Sequence, residues 1–238
     1  MKYFFLCTVL LFSGFFTIAQ QTVNDPHAEK RALGSFHGIE VATGIELTLT
    51  QGGQEEVAVS ASTPAYRDKI ITRVENGILK IYYETKPGAI NRRNETKGLK
   101  AYVSCRELDR LYATTGAEVE ILGVLTGRNL DMKANTGAEI RGKVELVSLD
   151  LDQDTGSKVT LSGRSGKLHA EGSTGSKFTG EEMSTENCDV QVSTGAKVSI
   201  RADKELQVKA STGGSVRYSG NAGIREIKTN TGGTVSKI

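Results

Sequence analysis

The chain has 238 residues and 37% hydrophobic content, enough for a real core in one large or two small domains. Its 30 Lys and Arg against 28 Asp and Glu are dispersed in both signs, which argues against a nucleic-acid or anionic-membrane binder. Gly is abundant at 27 residues, Pro scarce at 3 and Trp absent, while Thr, Ser and Val recur; this favours short strands and tight turns, so the expected class is all-β.

Lys2 is followed by an apolar run that ends in Thr17-Ile18-Ala19, small residues at cleavage positions. Residues 1–19 therefore read as a secretory signal peptide, too short an apolar run for a spanning helix. Cys7 lies too early in the run for a lipoprotein cysteine. Cleavage removes only Lys2 among the charges, leaving 29 basic against 28 acidic residues, and no membrane insertion is expected afterwards. Residues 20–35 form a linker.

Residues 36–108 alternate in a less regular β pattern. Ile39, Val41, Ile45, Leu47 and Leu49 keep period two, the chain turns at Gly52-Gly53, and the pattern resumes at Val57 and Val59. Asn76-Gly77 between two apolar runs is a strong hairpin signal. This segment either caps the C-terminal part of the chain or forms its first irregular coils. The basic stretch Asn91–Lys100 reads as a polar loop, so no nucleic-acid contact is expected.

Residues 109–238 repeat one phrase seven times, centred on Thr115-Gly116, Thr136-Gly137, Thr155-Gly156, Thr174-Gly175, Thr194-Gly195, Thr212-Gly213 and Thr231-Gly232. The glycines are 21, 19, 19, 20, 18 and 19 residues apart, a period that marks a solenoid whose units bury their apolar faces by stacking. Five before each glycine stand Leu111, Met132, Leu151, Ala170, Val190, Val208 and Ile227; three after stand Val119, Ile140, Val159, Phe178, Val198, Val216 and Val235. Interleaved columns are polar, so each unit is strand, turn, strand. Stacked in register these units make a seven-repeat parallel β-helix, right-handed by the general rule for parallel crossovers. The glycine serves a corner a side chain would obstruct, and the residue after it is always small. The threonine shares parity with the inward columns, which predicts a Thr ladder lining the corner.

Two outward columns are candidates for contact. Asp131, Asp150 and Asp189, with His169 between the last two, form an acidic face that is either a weak cation or sugar patch or a solvated surface. Lys158, Lys177 and Lys197, following Glu118 and Glu139, form a stripe suited to an acidic glycan or partner. His27, His37 and His169 lack ligand spacing, and no metal or cofactor is expected. Cys105 and Cys188 read as buried thiols; export permits a disulfide without requiring one. An ice-binding surface is disfavoured because no exposed T-x-T pair accompanies the Thr column.

The order Phe36-x-Gly38-Ile39, GIELTLTQG (Gly44 to Gly52), VENGILKIYY (Val74 to Tyr83) and ELDRLYATTGAEVEI (Glu107 to Ile121), ahead of the repeats, resembles the putative auto-transporter adhesin head GIN domain family of Bacteroidetes. The likeness runs from about Phe36 to the C-terminus. It implies a right-handed β-helix and a role in cell adhesion without recognised catalytic residues. Arg106 stands where the family often has proline, which affects a local turn.

Together these readings point to an exported, non-catalytic binding or adhesion module of the cell envelope, its partner a glycan or a cell-surface protein. A polysaccharide-active enzyme and a periplasmic structural or sensory protein are the alternatives. The last unit ends in an unprotected strand edge, which predicts that a partner or a second copy covers the C-terminal coil.

Overall fold

The computed structural model describes residues 25–84 and 97–238. The expected signal peptide, Cys7 and most of the basic stretch from Asn91 lie outside them. Of the described residues 66% are strand and 2% helix, arranged as a solenoid of stacked parallel coils of about 19 residues.

The first part contains β1 (Glu29–Arg31), β2 (Gly38–Val41), β3 (Glu46–Gln51), β4 (Glu56–Ser60), a helical turn α1 (Pro64–Arg67), β5 (Ile70–Glu75), β6 (Ile78–Tyr83), β7 (Lys100–Cys105) and β8 (Arg110–Ala113). The repeats contribute β9 (Glu118–Ala134), β10 (Glu139–Gln153), β11 (Lys158–Gly172), β12 (Lys177–Val192), β13 (Lys197–Ala210), β14 (Ser215–Ser219), β15 (Gly223–Thr229) and β16 (Thr234–Lys237). Each of β9 to β13 leaves one Thr-Gly corner, rounds the far corner and runs up to the next. The halves after the Thr-Gly corner stack as β1-β4-β7-β3-β9-β10-β11-β12-β13-β14-β16. The halves before it stack from β5-β6-β2-β8 through β9–β13 to β15.

The Thr-Gly corner is a tight turn with both central residues left-handed. Thr194 has φ 48° and Gly195 φ 75°, and Ala196 N–H donates to the Ser193 carbonyl at 2.9 Å, as a type I′ turn requires. The corners also bond to one another. Gly N–H of each coil donates to the Thr carbonyl of the next, from Gly116 to Thr136 through Gly213 to Thr231, at 3.0 to 3.2 Å.

The inward Thr ladder does not form. The threonines lie at the turn tip and, across the seven repeats, their side chains face solvent, because period-two parity does not carry through two left-handed residues. Several of their hydroxyls bond to the preceding side chain instead, as Thr136 does to Asn135 at 3.1 Å and Thr231 to Asn230 at 3.2 Å. The inward position belongs to the small residue after glycine: Ala117, Ala138, Ser157 and Ala196 are fully buried. At Gly214 in this column even a Cβ would lie 2.9 Å from the Val192 backbone.

An eighth corner, Thr43-Gly44, lies between β2 and β3, and Gly44 N–H donates to the Thr115 carbonyl at 3.0 Å. The irregular segment therefore supplies a true coil, with β2 and β3 parallel to β8 and β9. It also supplies antiparallel neighbours: β4 pairs β7, β1 pairs β4, and β5 pairs β6 across the expected Asn76-Gly77 turn. β3 and β4 do not pair, because β7 lies between them.

Coils of unequal length stay in register because the far corner absorbs the difference. Register shifts fall between Arg141 and Lys143, Thr160 and Gly163, and Gly180 and Ser184, all away from the Thr-Gly corners. Gly163 at this far corner has φ 103°, with a Cβ site 2.2 Å from the Val144 oxygen. The core is one continuous stack in which Ile39, Leu111, Met132, Leu151 and Val208 are fully buried. In the last coil the same columns lack a covering neighbour, and Ile224 and Ile227 are 48% and 40% exposed.

Cys105 and Cys188 are buried and unpaired thiols. Burial pushes the Cys105 thiol up to about 11 and Cys188 up to about 12. Both should therefore resist a thiol reagent at about pH 8 in the native protein and react on unfolding; rapid native labelling would contradict this burial. Gly195 has open space around its Cβ site, so Gly195→Ala should cost about 1 kcal/mol from backbone conformation alone. Gly163→Ala should cost more, since it adds a backbone collision, and denaturant unfolding of the two variants side by side measures the order.

Candidate functional site

Alternation places every second residue of each strand outside, so stacked coils convert sequence columns into rows on two flat faces. On the face after the Thr-Gly corner, Lys158, Lys177 and Lys197 are directly opposed on β11, β12 and β13. All three are exposed. Among the described residues none of them makes an ion pair. The same row continues in the other direction through Glu139, Glu118 and Glu46. Beside it runs a row of Thr48, Glu120, Arg141, Thr160, Thr179 and Ser199, in which the Arg141 guanidinium reaches Glu139 at 3.1 Å. Sequence columns identify the lysines and the two neighbouring glutamates. They do not reach Glu46, although the phrase ATGIE around Thr43-Gly44 repeats the corner motif.

The opposite face carries Asp131, Asp150 and Asp189. Asp131 and Asp150 are opposed neighbours, and His169 stands between Asp150 and Asp189. Basic and phenolic groups engage this face across coils. Arg110 approaches Asp131 at 3.9 Å, His169 Nδ1 lies 3.5 Å from Asp189, and Lys133 lies 3.6 Å from Asp152. The Tyr112 hydroxyl donates to Asp131; burial first, and that bond second, push the phenol up to about 12. Among the described residues no group of three or more His, Cys, Asp and Glu is placed to hold a metal ion.

A shallow cleft of about 410 Å³ beside the corners is lined by Asp152, Asp154, Glu171, Ser173, Gln191 and Lys209 among others. Asp154 accepts hydrogen bonds from Ser173 Oγ and Thr155 N–H, both at 2.7 Å. Hydrogen bonds from Thr174, Ser173 and Thr155 hold its carboxyl below the usual carboxylate range. That is the wrong direction for a general acid, which needs a raised pKa. Its bonds tie adjacent corners together. No helix among the described residues is long and apolar enough to cross a membrane.

No curated protein matches the chain. Among solved structures, a putative adhesin from Bacteroides fragilis superposes with TM-score 0.77 at 17% identity, covering 89% of this chain and 96% of its own. A putative adhesin from Parabacteroides merdae gives 0.70 at 14%, covering 89% and 95%. A putative lipid binding protein from Parabacteroides distasonis gives 0.68 at 13%, covering 91% and 98%. At such identities the likeness shows the fold: each is similar to this chain along nearly its whole length. The family model that matches covers residues 35–222, well over half of the sequence. The chain therefore belongs to the family described as putative auto-transporter adhesin, head GIN domain.

Proposed function

We propose that the chain is an exported, non-catalytic binding or adhesion module of the cell envelope, and that its contact surface is the row of Lys158, Lys177 and Lys197. The observation that carries this reading is that, among the described residues, three cations on adjacent strands make no ion pair. Directly opposed like charges destabilise a sheet, so the row is most stable with an acidic partner over it. The flat face presents one ammonium per coil, about 4.8 Å apart, a spacing suited to an extended or repeating anionic surface. Family membership supports the adhesive reading. On the opposite face Asp131, Asp152 and Asp189 lie against basic groups, which supports the non-catalytic one.

Two measurements test this. Protease treatment of intact cells should release or cleave the protein; protection until the outer membrane is opened would move it to the periplasm and end the adhesion reading. Replacing Lys158, Lys177 and Lys197 with Glu should weaken binding to an acidic surface by roughly tenfold or more, with the fold unchanged. Undiminished binding would remove the row as the contact surface.

A further inference from the structure

The row holding the lysines is ordered in charge. Along β7, β3 and β9 to β13 it reads Lys100, Glu46, Glu118, Glu139, Lys158, Lys177, Lys197, one cation ahead of a run of three carboxylates followed by three ammoniums. Of its six neighbour contacts four are between like charges. The opposite face interleaves its charges: Arg110 meets Asp131 and Lys133 meets Asp152, beside the like pairs Asp131 with Asp150 and Asp152 with Glu171. A segregated order is unfavourable for an isolated sheet face. It becomes favourable when the same order, reversed, lies against it.

We infer that this face docks a second copy of the chain, face to face about a two-fold axis running along the strands between β10 and β11. That axis reverses the row, setting Glu46 against the partner's Lys197, Glu118 against the partner's Lys177 and Glu139 against the partner's Lys158. Symmetry repeats each contact. The neighbouring row is compatible: Glu120 meets the partner's Thr179 and Arg141 the partner's Thr160, with no like charges opposed. One step further out, Tyr102 on β7 meets the partner's Arg217 on β14, a pairing suited to cation–π contact. The inner strands also balance. On β3, β9 and β10, Glu46, Glu118, Glu120 and Glu139 less Arg141 leave three net negative charges against the three lysines of β11 to β13; beyond them Lys100 on β7 meets the partner's Ser215, and Lys100 and Arg217 add one cation to each half.

The inference rests on the reading of the lysine row as a contact surface and names its acidic partner. Six strands at about 4.8 Å make a face about 24 Å long, at the small end of protein interfaces, so two free molecules associate weakly and in a salt-dependent way. Many copies displayed on opposed surfaces add such contacts together. A self-complementary face of this kind makes adhesion homophilic.

Sedimentation equilibrium of the full processed chain in about 20 mM and about 500 mM salt tests the dimer, since screening lengths fall severalfold across that range. The expected result is association at low salt that is lost at high salt. The Lys158→Glu, Lys177→Glu, Lys197→Glu triple variant and the Glu46→Lys, Glu118→Lys, Glu139→Lys triple variant should each associate roughly tenfold more weakly or worse. Mixed together they should form a heterodimer, which also shows that neither has lost its fold. A wild-type monomer at both salts overturns the inference, as does self-association of either variant or a mixture that stays monomeric. Loss of the dimer in Ile227→Lys with the row intact would move the contact to the last coil and overturn it too. A wild-type monomer that binds a sulfated polysaccharide through the lysines would make a glycan the partner; the dimer then fails while the adhesion reading stands.

Discussion

The backbone ladder through the Thr-Gly corners is the constraint on which the rest of the structure depends. In most β architectures the turn is where pairing stops, because tight turns point their amides elsewhere. Here both central residues are left-handed, and the glycine amide of one coil reaches the threonine carbonyl of the next from Gly44 through Thr231. Pairing therefore continues around the bend. The strands on both faces enter and leave each corner at the same height, and every column before and after the corner is held in register.

A β-branched residue in the left-handed region is strained, by roughly 1–2 kcal/mol for an ordinary L-residue. The strain is offset locally. In the seven repeats the preceding residue is Thr, Asn, Asp or Ser, and in several its side chain meets the threonine hydroxyl or amide, as Asn135 and Asp154 do. The following residue turns inward at the point where the two sheets meet most closely, which leaves room only for Ala, Ser or Gly in the seven repeats. The repeated phrase is thus one four-residue device: an oxygen-bearing side chain, a strained pair, and a small buried residue.

Fixed registry at one corner has consequences at the other and on the outer faces. Differences in coil length collect mostly at the far corner, where the shifts among β9 to β13 lie, and one further shift falls between Leu206 and Gln207 against the last coil. On the outside, registry turns side-chain identity into rows whose members are one strand spacing apart. Two faces of the same solenoid use this differently. One brings several unlike charges together from coil to coil, as Arg110 with Asp131 and Lys133 with Asp152; the other groups three glutamates beside three lysines, which leaves the lysines to interact with something beyond the chain.

The sequence by itself determined the β class, the period, the buried columns, the family and the position of the lysine row, because period-two alternation and a fixed glycine spacing are local properties of the chain. It also contained the Asn76-Gly77 hairpin. Three features needed tertiary structure. Thr43-Gly44 lies 72 residues before Gly116 and is followed by Ile45 instead of a small residue, so neither spacing nor phrase identified it as a corner. The direction of the threonines depended on two left-handed residues, which parity counting cannot see. The placement of β7 between β3 and β4, and the continuation of the lysine row into Glu46 by pairing of β3 with β9, depended on pairing between strands distant in sequence. Such pairing is settled by which edges remain free once the repeats have stacked, a property of the whole solenoid and of no single segment.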